Sequence, residues 1–149
     1  MGSDIVISTF KIFLTVFLTA LIGIEREIRQ KDAGLRTHVL VGVGSCLIVL
    51  TSFYISDIYK HNPMVDPTRI ISNIVTGIGF LCAGAIIRGG KQVVGLTTAA
   101  TLWIVSGIGM SVGSGDYTAA IMVTSTVMFV LIGMRSVEKK IFEYSRNNH

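Results

Sequence analysis

Charge is scarce in this chain. Asp, Glu, Lys and Arg make up 15% of the residues, against about 25% in ordinary globular domains. The deficit is concentrated in five stretches, residues 12–24, 39–56, 70–87, 93–115 and 117–134, that hold no charged residue at all. A soluble domain of this size would alternate apolar and polar faces, and these stretches are apolar all round, which excludes that class. Cysteine is also rare. Two cysteines, Cys46 and Cys82, and three scattered histidines offer no zinc-type spacing. Carboxylates are rarest where a cation pathway would need them: between Val39 and Met134 the acids are Asp57, Asp66 and Asp116, each at the edge of a stretch.

What is present is a set of membrane-crossing segments. A hydrocarbon core of about 30 Å requires a helix of roughly 20 residues, tolerated down to about 17. Four stretches reach that length directly. The first reaches it with residues 5–10 if Lys11 extends to an interface, as a lysine near a helix end does. The predicted fold is an all-α polytopic bundle of five transmembrane helices. The net charge of +4 describes topology rather than nucleic-acid binding. Arg26, Arg29, Lys31, Arg36, Arg88, Lys91, Arg135, Lys139, Lys140 and Arg146 fall on one side, and Lys11, Lys60 and Arg69 on the other. Positive residues collect in the cytoplasm, which sets the N-terminus outside and the C-terminus inside. No basic region precedes the first stretch and no small-residue cleavage site follows it, so a removable signal peptide is not expected. The expected division is a membrane domain over 1–134 and a short cytoplasmic interfacial tail over 135–149, with Val137, Ile141 and Tyr144 at helical spacing.

Local signals place the helix starts. Asp66 before Pro67 reads as an N-cap with proline at the first helical position. Asp116 reads as the cap of the fifth helix and Thr97 as a cap for the fourth. Small residues predict the packing, because lipid supplies no hydrophobic drive between helices and close approach must do so instead. Gly77, Gly79, Ala83 and Gly84 on the third helix, with the glycines, alanines and threonines of the fourth, predict that these two are the most buried. The first and fifth should lie nearer lipid.

The densest polar cluster follows the first helix, from Glu25 to His38. Glu25 with Arg29, and Glu27 with Lys31, have the i,i+4 order that supports a helix, and most of these residues read as a solvated juxtamembrane segment. Glu25, Arg26 and Arg36 are the exceptions, since ionisable groups at membrane depth face a partner or a pathway; Gly34 is expected to end a helix and turn Arg36 back towards Glu25. Asn73 is expected to face the bundle interior. Gly109-Met110-Ser111-Val112-Gly113 matches the G-x-S-x-G elbow of serine hydrolases, but it lies in an apolar helix with only His61 in reach, so no enzyme is expected.

Three stretches together resemble the membrane domain of the MgtC/SapB family. They are Gly23-Ile24-Glu25-Arg26-Glu27 leading to Ala33-Gly34-Leu35-Arg36-Thr37-His38; Asp66-Pro67-Thr68-Arg69 with Gly77-Ile78-Gly79-Phe80-Leu81-Cys82-Ala83-Gly84; and Gly95-Leu96-Thr97-Thr98-Ala99-Ala100-Thr101-Leu102-Trp103. Cys82 stands where the family usually has glycine, and Asn73 where glutamine is expected. Longer members carry an ACT-like C-terminal domain, for which residues 135–149 are too short. The resemblance implies a multi-pass protein of the bacterial inner membrane, linked to low-magnesium adaptation and, in some pathogens, to survival in host cells. It implies an accessory role towards another membrane complex, with Mg²⁺ transport as the alternative; lipid, a membrane-protein partner and a second copy of the chain are the expected partners. No resident cofactor is expected beyond a candidate Mg²⁺ ligand. Glu25, Arg26, Arg36, Thr37, Asp66, Arg69, Asn73 and Thr97 are the candidate functional positions.

Overall fold

The computed structural model describes residues 2–60, 62, 64–89 and 92–147, and the backbone alone for residues 2–3, 87–89, 92 and 135–147. Five helices follow one another: α1 (Gly2–Ile28), α2 (Leu35–Ile58), α3 (Pro67–Gly84), α4 (Leu96–Ser114) and α5 (Tyr117–Asn147). Between α3 and α4 lies a small antiparallel hairpin, β1 (Ile87–Gly89) and β2 (Gln92–Val94), pairing Ile87 with Val94 and Gly89 with Gln92. The expected third and fourth helices extended into these residues. α5 continues as helix through the basic segment after Met134.

Four helices are long and apolar enough to cross a membrane: Asp4–Ile28 within α1, Leu35–Ile58, Leu96–Ser114 and Tyr117–Met134 within α5. The fifth expected crossing, α3, falls short because Thr68, Arg69, Ser72 and Asn73 occupy its first two turns. Its remaining apolar part, residues 74–84, is about 16 Å long at 1.5 Å per residue. The Ser52 hydroxyl donates to the Pro67 carbonyl at 2.6 Å, six residues before α2 ends. α3 therefore starts about 9 Å inside the end of the bundle that α2 reaches.

The cap signals hold at two of three sites. The Asp66 carboxylate accepts from the Thr68 amide at 2.8 Å and opens α3. Asp116 accepts from the Ala119 amide at 3.0 Å and opens α5. Thr97 is not a cap; Gly95 holds that position in a left-handed conformation. Lys11 lies nine residues inside α1 rather than near a helix end, and donates to the Gly113 carbonyl at 2.8 Å, where a cation suits the negative C-terminus of α4.

α4 is the centre of the bundle, with 56% of its most apolar stretch buried, against 28% for α2 and 17% for α5. It touches all four other helices and packs most closely on α2, which α1 also covers directly, while α3 and α5 lie outside this trio. The prediction that α3 shares the centre is overturned. Ile74 and Ile78 are its only buried residues, and Phe80 is 82% exposed. A Cβ added to Gly77, Gly79 or Gly84 would meet nothing within 4 Å. The close approach is made by other glycines. A Cβ on Gly109 of α4 would overlap the Gly42 carbonyl of α2, and one on Gly113 would come within 2.9 Å of Val49 Cβ. Gly42 also faces the methyls of Thr15 and Thr19 on α1, whose hydroxyls turn back to the Lys11 and Thr15 carbonyls at 2.8 and 2.7 Å.

Polar side chains complete the α2–α4 seam. His38, Ser45 and Ser52 recur every seven residues along α2, and all are buried. Ser45 donates to the Val41 carbonyl at 2.9 Å, so the 2.9 Å bond between the Ser45 and Ser106 hydroxyls is donated by Ser106. Cys46 and Cys82 are unpaired thiols. The Cys46 backbone lies against Gly113 and the Cys82 thiol donates to the Ala99 carbonyl, contact points about 21 Å apart along α4.

Gly109→Ala is predicted to destabilise the bundle by about 1–3 kcal/mol, the usual cost of overpacking. Gly79→Ala, on the open face, should cost nothing and can raise stability slightly through helix propensity. Thermal unfolding of the two variants in lipid nanodiscs checks the contrast.

Candidate functional site

The polar site is built at the end of the bundle where α1 stops and α4 starts. α1 stops through a Schellman arrangement: the Gln30 amide donates to the Glu27 carbonyl at 2.9 Å and the Lys31 amide to the Arg26 carbonyl at 3.1 Å. Gln30 takes the left-handed conformation (φ 52°) usual for glycine at this position. The reversal is thus made by Gln30, four residues before the expected Gly34. Gly34 has a different constraint, since a Cβ there would overlap the Glu27 carboxylate. That carboxylate accepts from the Leu35 amide at 2.9 Å and so caps α2, in place of the expected Glu27–Lys31 pair.

Glu25 and Arg26 are buried, 8% and 5% exposed. Glu25 accepts from Arg26 Nη1 at 3.4 Å and from Arg29 Nε at 3.3 Å. Both bonds are long for charge-assisted contacts. Arg26 Nε is buried with no acceptor among the described residues. These groups line a cavity of about 880 Å³ with Gln30, Lys31 and Asp32 of the turn, Val93 to Thr98 at the start of α4, and Val130, Leu131 and Met134 of α5.

The start of α4 has an unusual cap. Gly95 has φ 89°, and a Cβ on it would overlap the Ala85 carbonyl. No side chain fits, so the Ser, Thr or Asp that normally satisfies the first amides is excluded. The helical ladder begins with the Ala99 amide donating to the Gly95 carbonyl at 2.8 Å. The amides of Leu96, Thr97 and Thr98 lie before it.

The structure brings Glu25, Arg26 and Thr97 to one cavity and separates the other expected positions. Arg36 and Thr37 are exposed at the start of α2, and Arg36 does not line the cavity with Glu25. Asp66 and Arg69 lie at the far end, beside Ser52. Asn73 is exposed rather than interior, on a separate apolar groove of about 510 Å³ between α2 and α3. The residue that sequence reasoning passed over is His38. Its Nδ1 lies 2.8 Å from the Gly34 carbonyl, so it carries a proton, and its Nε2 lies 3.0 Å from Thr101 Oγ1. The Thr101 hydroxyl also lies 2.9 Å from the Thr98 carbonyl and has one proton for the two. With a neutral ring it donates to His38; with a charged ring it accepts from His38 and donates to Thr98. The seven-residue recurrence of His38, Ser45 and Ser52 was the available signal.

Ser111 sits inside α4 rather than on a strand-to-helix turn, so the elbow geometry is not formed; His61 lies outside the described residues. A divalent cation does not fit the cavity. Mg²⁺ requires oxygen ligands in octahedral array, whereas Arg26, Arg29 and Lys31 outnumber Glu25 and Asp32 here, and Glu25 is already engaged by two arginines. Among the described residues no three of His, Cys, Asp or Glu converge.

A family model described as the MgtC family matches residues 12–140. The chain belongs to the MgtC family. It is 43% identical to "Protein MgtC" of Salmonella typhimurium, over 85% of this chain and 52% of that protein. It is 42% identical to the Escherichia coli protein named "Putative magnesium transporter YhiD", over 81% of this chain and 57% of that protein. The chain thus spans about half the length of the curated relatives it matches. No solved structure matches it. As an MgtC-family member it is a multi-pass protein of the bacterial inner membrane, and its match takes in the whole of the α1–α4 cavity.

At the far end of the MgtC-family bundle, the Thr68 hydroxyl and amide hydrogen bonds hold the Asp66 carboxyl below the ordinary carboxylate range. Because the folded value is depressed, the cap contributes fully above the unfolded pKa and is lost as pH falls through the lower, folded one. Unfolding midpoints of wild type and Asp66→Asn should keep a constant difference from neutral pH down to the ordinary Asp range. Below that range only the wild-type cap should titrate.

Proposed function

We propose that this chain is an inner-membrane accessory protein of low-magnesium adaptation that modulates another membrane complex by seating α3 against it. The observation that carries the reading is the contrast between the two sides of α4. Between α1, α2 and α4, glycine contacts and buried hydroxyl bonds fill the interior. α3 presents two stripes of small residues outward, Gly77 with Gly84 beside the apolar groove that it forms with α2, and Gly79 with Ala83 on the other side of the exposed Phe80. In lipid, a face of small residues lets another helix approach closely enough for dispersion and Cα–H contacts to hold it. The orientation belongs to the same reading: five crossings with α3 the shortest, the N-terminus outside, residues 1–134 as the membrane domain and 135–149 as a cytoplasmic interfacial tail. A second copy of the chain fits the same face, as does a helix of a different protein.

Transport of Mg²⁺ is the second reading, favoured by the provisional name of the Escherichia coli relative. It would require carboxylates or carbonyls converging at depth, and the buried polar groups of the α2–α4 seam are hydroxyls and one imidazole already bonded to each other or to backbone.

Gly77→Leu/Gly79→Leu tests the accessory reading. The double variant should unfold at the wild-type temperature, lose its copurifying membrane partner or second copy at least tenfold in native lipid, and fail to restore growth of a deletion strain in magnesium-poor medium. Full complementation by the variant, together with Mg²⁺ flux into liposomes by the purified chain, would replace this reading with transport.

A further inference from the structure

We propose that the α1–α4 cavity binds a phosphate-bearing anion, held between the Arg26 and Arg29 guanidiniums and the uncapped first turn of α4. Two independent observations meet there. The first is the helix start. α4 is 19 residues long, so its N-terminus carries about half a positive charge together with free amide donors. Gly95 leaves that terminus without a side-chain cap because any side chain would strike the Ala85 carbonyl. Leu96, Thr97 and Thr98, whose amides precede the helical ladder, line the cavity.

The second is Arg26. A guanidinium that is 95% removed from solvent normally uses its donors on acceptors within the protein. Arg26 spends one donor on a 3.4 Å contact with Glu25, and its Nε meets no acceptor among the described residues. Arg29, also on Glu25, reaches it at 3.3 Å and stays about one-third exposed. Among the described residues three cations and two carboxylates line the space, a positive balance before the helix terminus is added. A tetrahedral dianion or monoanion in the cavity supplies acceptors to the first amides of α4 and to the arginine edges that line it, and arginine matches it in two-point geometry. A metal cation would meet the same groups with the wrong sign.

The chemistry has two sources. The apolar wall of Val130, Leu131 and Met134 suits the glycerol and first methylenes of an anionic phospholipid at the bilayer edge. A soluble phosphate compound reaches the same donors from the cytoplasm. The inference is separate from the role of α3, since no protein partner enters it or its test.

The test uses the whole chain in nanodiscs and reads thermal unfolding, because a ligand bound only by the folded state raises the midpoint with its concentration. One arm titrates inorganic phosphate into phosphatidylcholine discs against chloride at equal ionic strength. The other replaces a third of the lipid with phosphatidylglycerol. Arg26→Gln removes the buried donor; since it can also unfold the chain, Arg29→Gln, at a partly exposed position, carries the comparison. The expected result is a saturable rise in midpoint for the wild type whose half-saturation moves at least fivefold in Arg29→Gln. A rise in the first arm assigns a soluble phosphate compound, and a rise in the second alone assigns a lipid headgroup. No rise in either arm, or equal rises in wild type and Arg29→Gln, overturns the proposal.

Discussion

Backbone contact between Gly42 and Gly109 governs the arrangement of this bundle. In a bilayer there is no water to drive helices together, so the strength of an interface follows how closely two backbones approach. At this crossing the approach is close enough that even a methyl group on Gly109 would overlap the Gly42 carbonyl. Bringing α2 and α4 to that distance aligns His38 with Thr101 and Ser45 with Ser106. Gly42 also receives the threonine methyls of α1, so the same residue joins three helices. Leu18, Ile22, Val105, Ile108 and Val112 then fill the space around the seam.

The polar cavity is a consequence of this packing. With α1 and α4 fixed against α2, the C-terminal turn of α1 comes to lie beside the N-terminal turn of α4. The hairpin β1–β2 brings the chain back tightly enough that Gly95 must touch the Ala85 carbonyl, and this contact removes the normal cap from α4. A buried arginine with a spare donor and a helix start with spare amides therefore arise at one place from the fold's own constraints. α3, held mainly by Ile74, Ile78 and its contact to Ser52, stays outside the trio and keeps its glycines free.

Much of the architecture was legible in the sequence, for reasons that can be stated residue by residue. Asp66-Pro67 and Gly115-Asp116 are local signals whose meaning depends on a few neighbouring atoms, and both opened helices as read. The span of α1 was legible because Lys11 is the one charge that interrupts its apolar run, and the Gly113 carbonyl at the end of α4 takes it up inside the helix. Small residues were a poorer guide. A count of glycine and alanine carries no direction, so α3 and α4 looked alike, although Gly109 and Gly113 of α4 meet α2 and Gly77, Gly79 and Gly84 of α3 meet nothing. The direction was present in the heptad of His38, Gly42, Ser45, Val49 and Ser52, a pattern visible only when polar and small residues are read together. The hairpin was hidden because its β-branched residues continue the apolar runs of the helices beside it. The candidate site was legible in part: Glu25, Arg26 and Thr97 meet, while Asp66 and Arg69 are held at the opposite end by the length of α3.

The central claim is that α2 and α4 form the closely packed seam and α3 turns its glycine face away from it. Oxygen accessibility of nitroxide labels placed singly at residues 74, 77, 78, 79, 80 and 84, on the purified chain in nanodiscs, tests this most directly. The account predicts low accessibility at 74 and 78 and high accessibility at 77, 79, 80 and 84. Low values at 77 and 84 with high values at 74 and 78 would place the glycine face inside the bundle and contradict it.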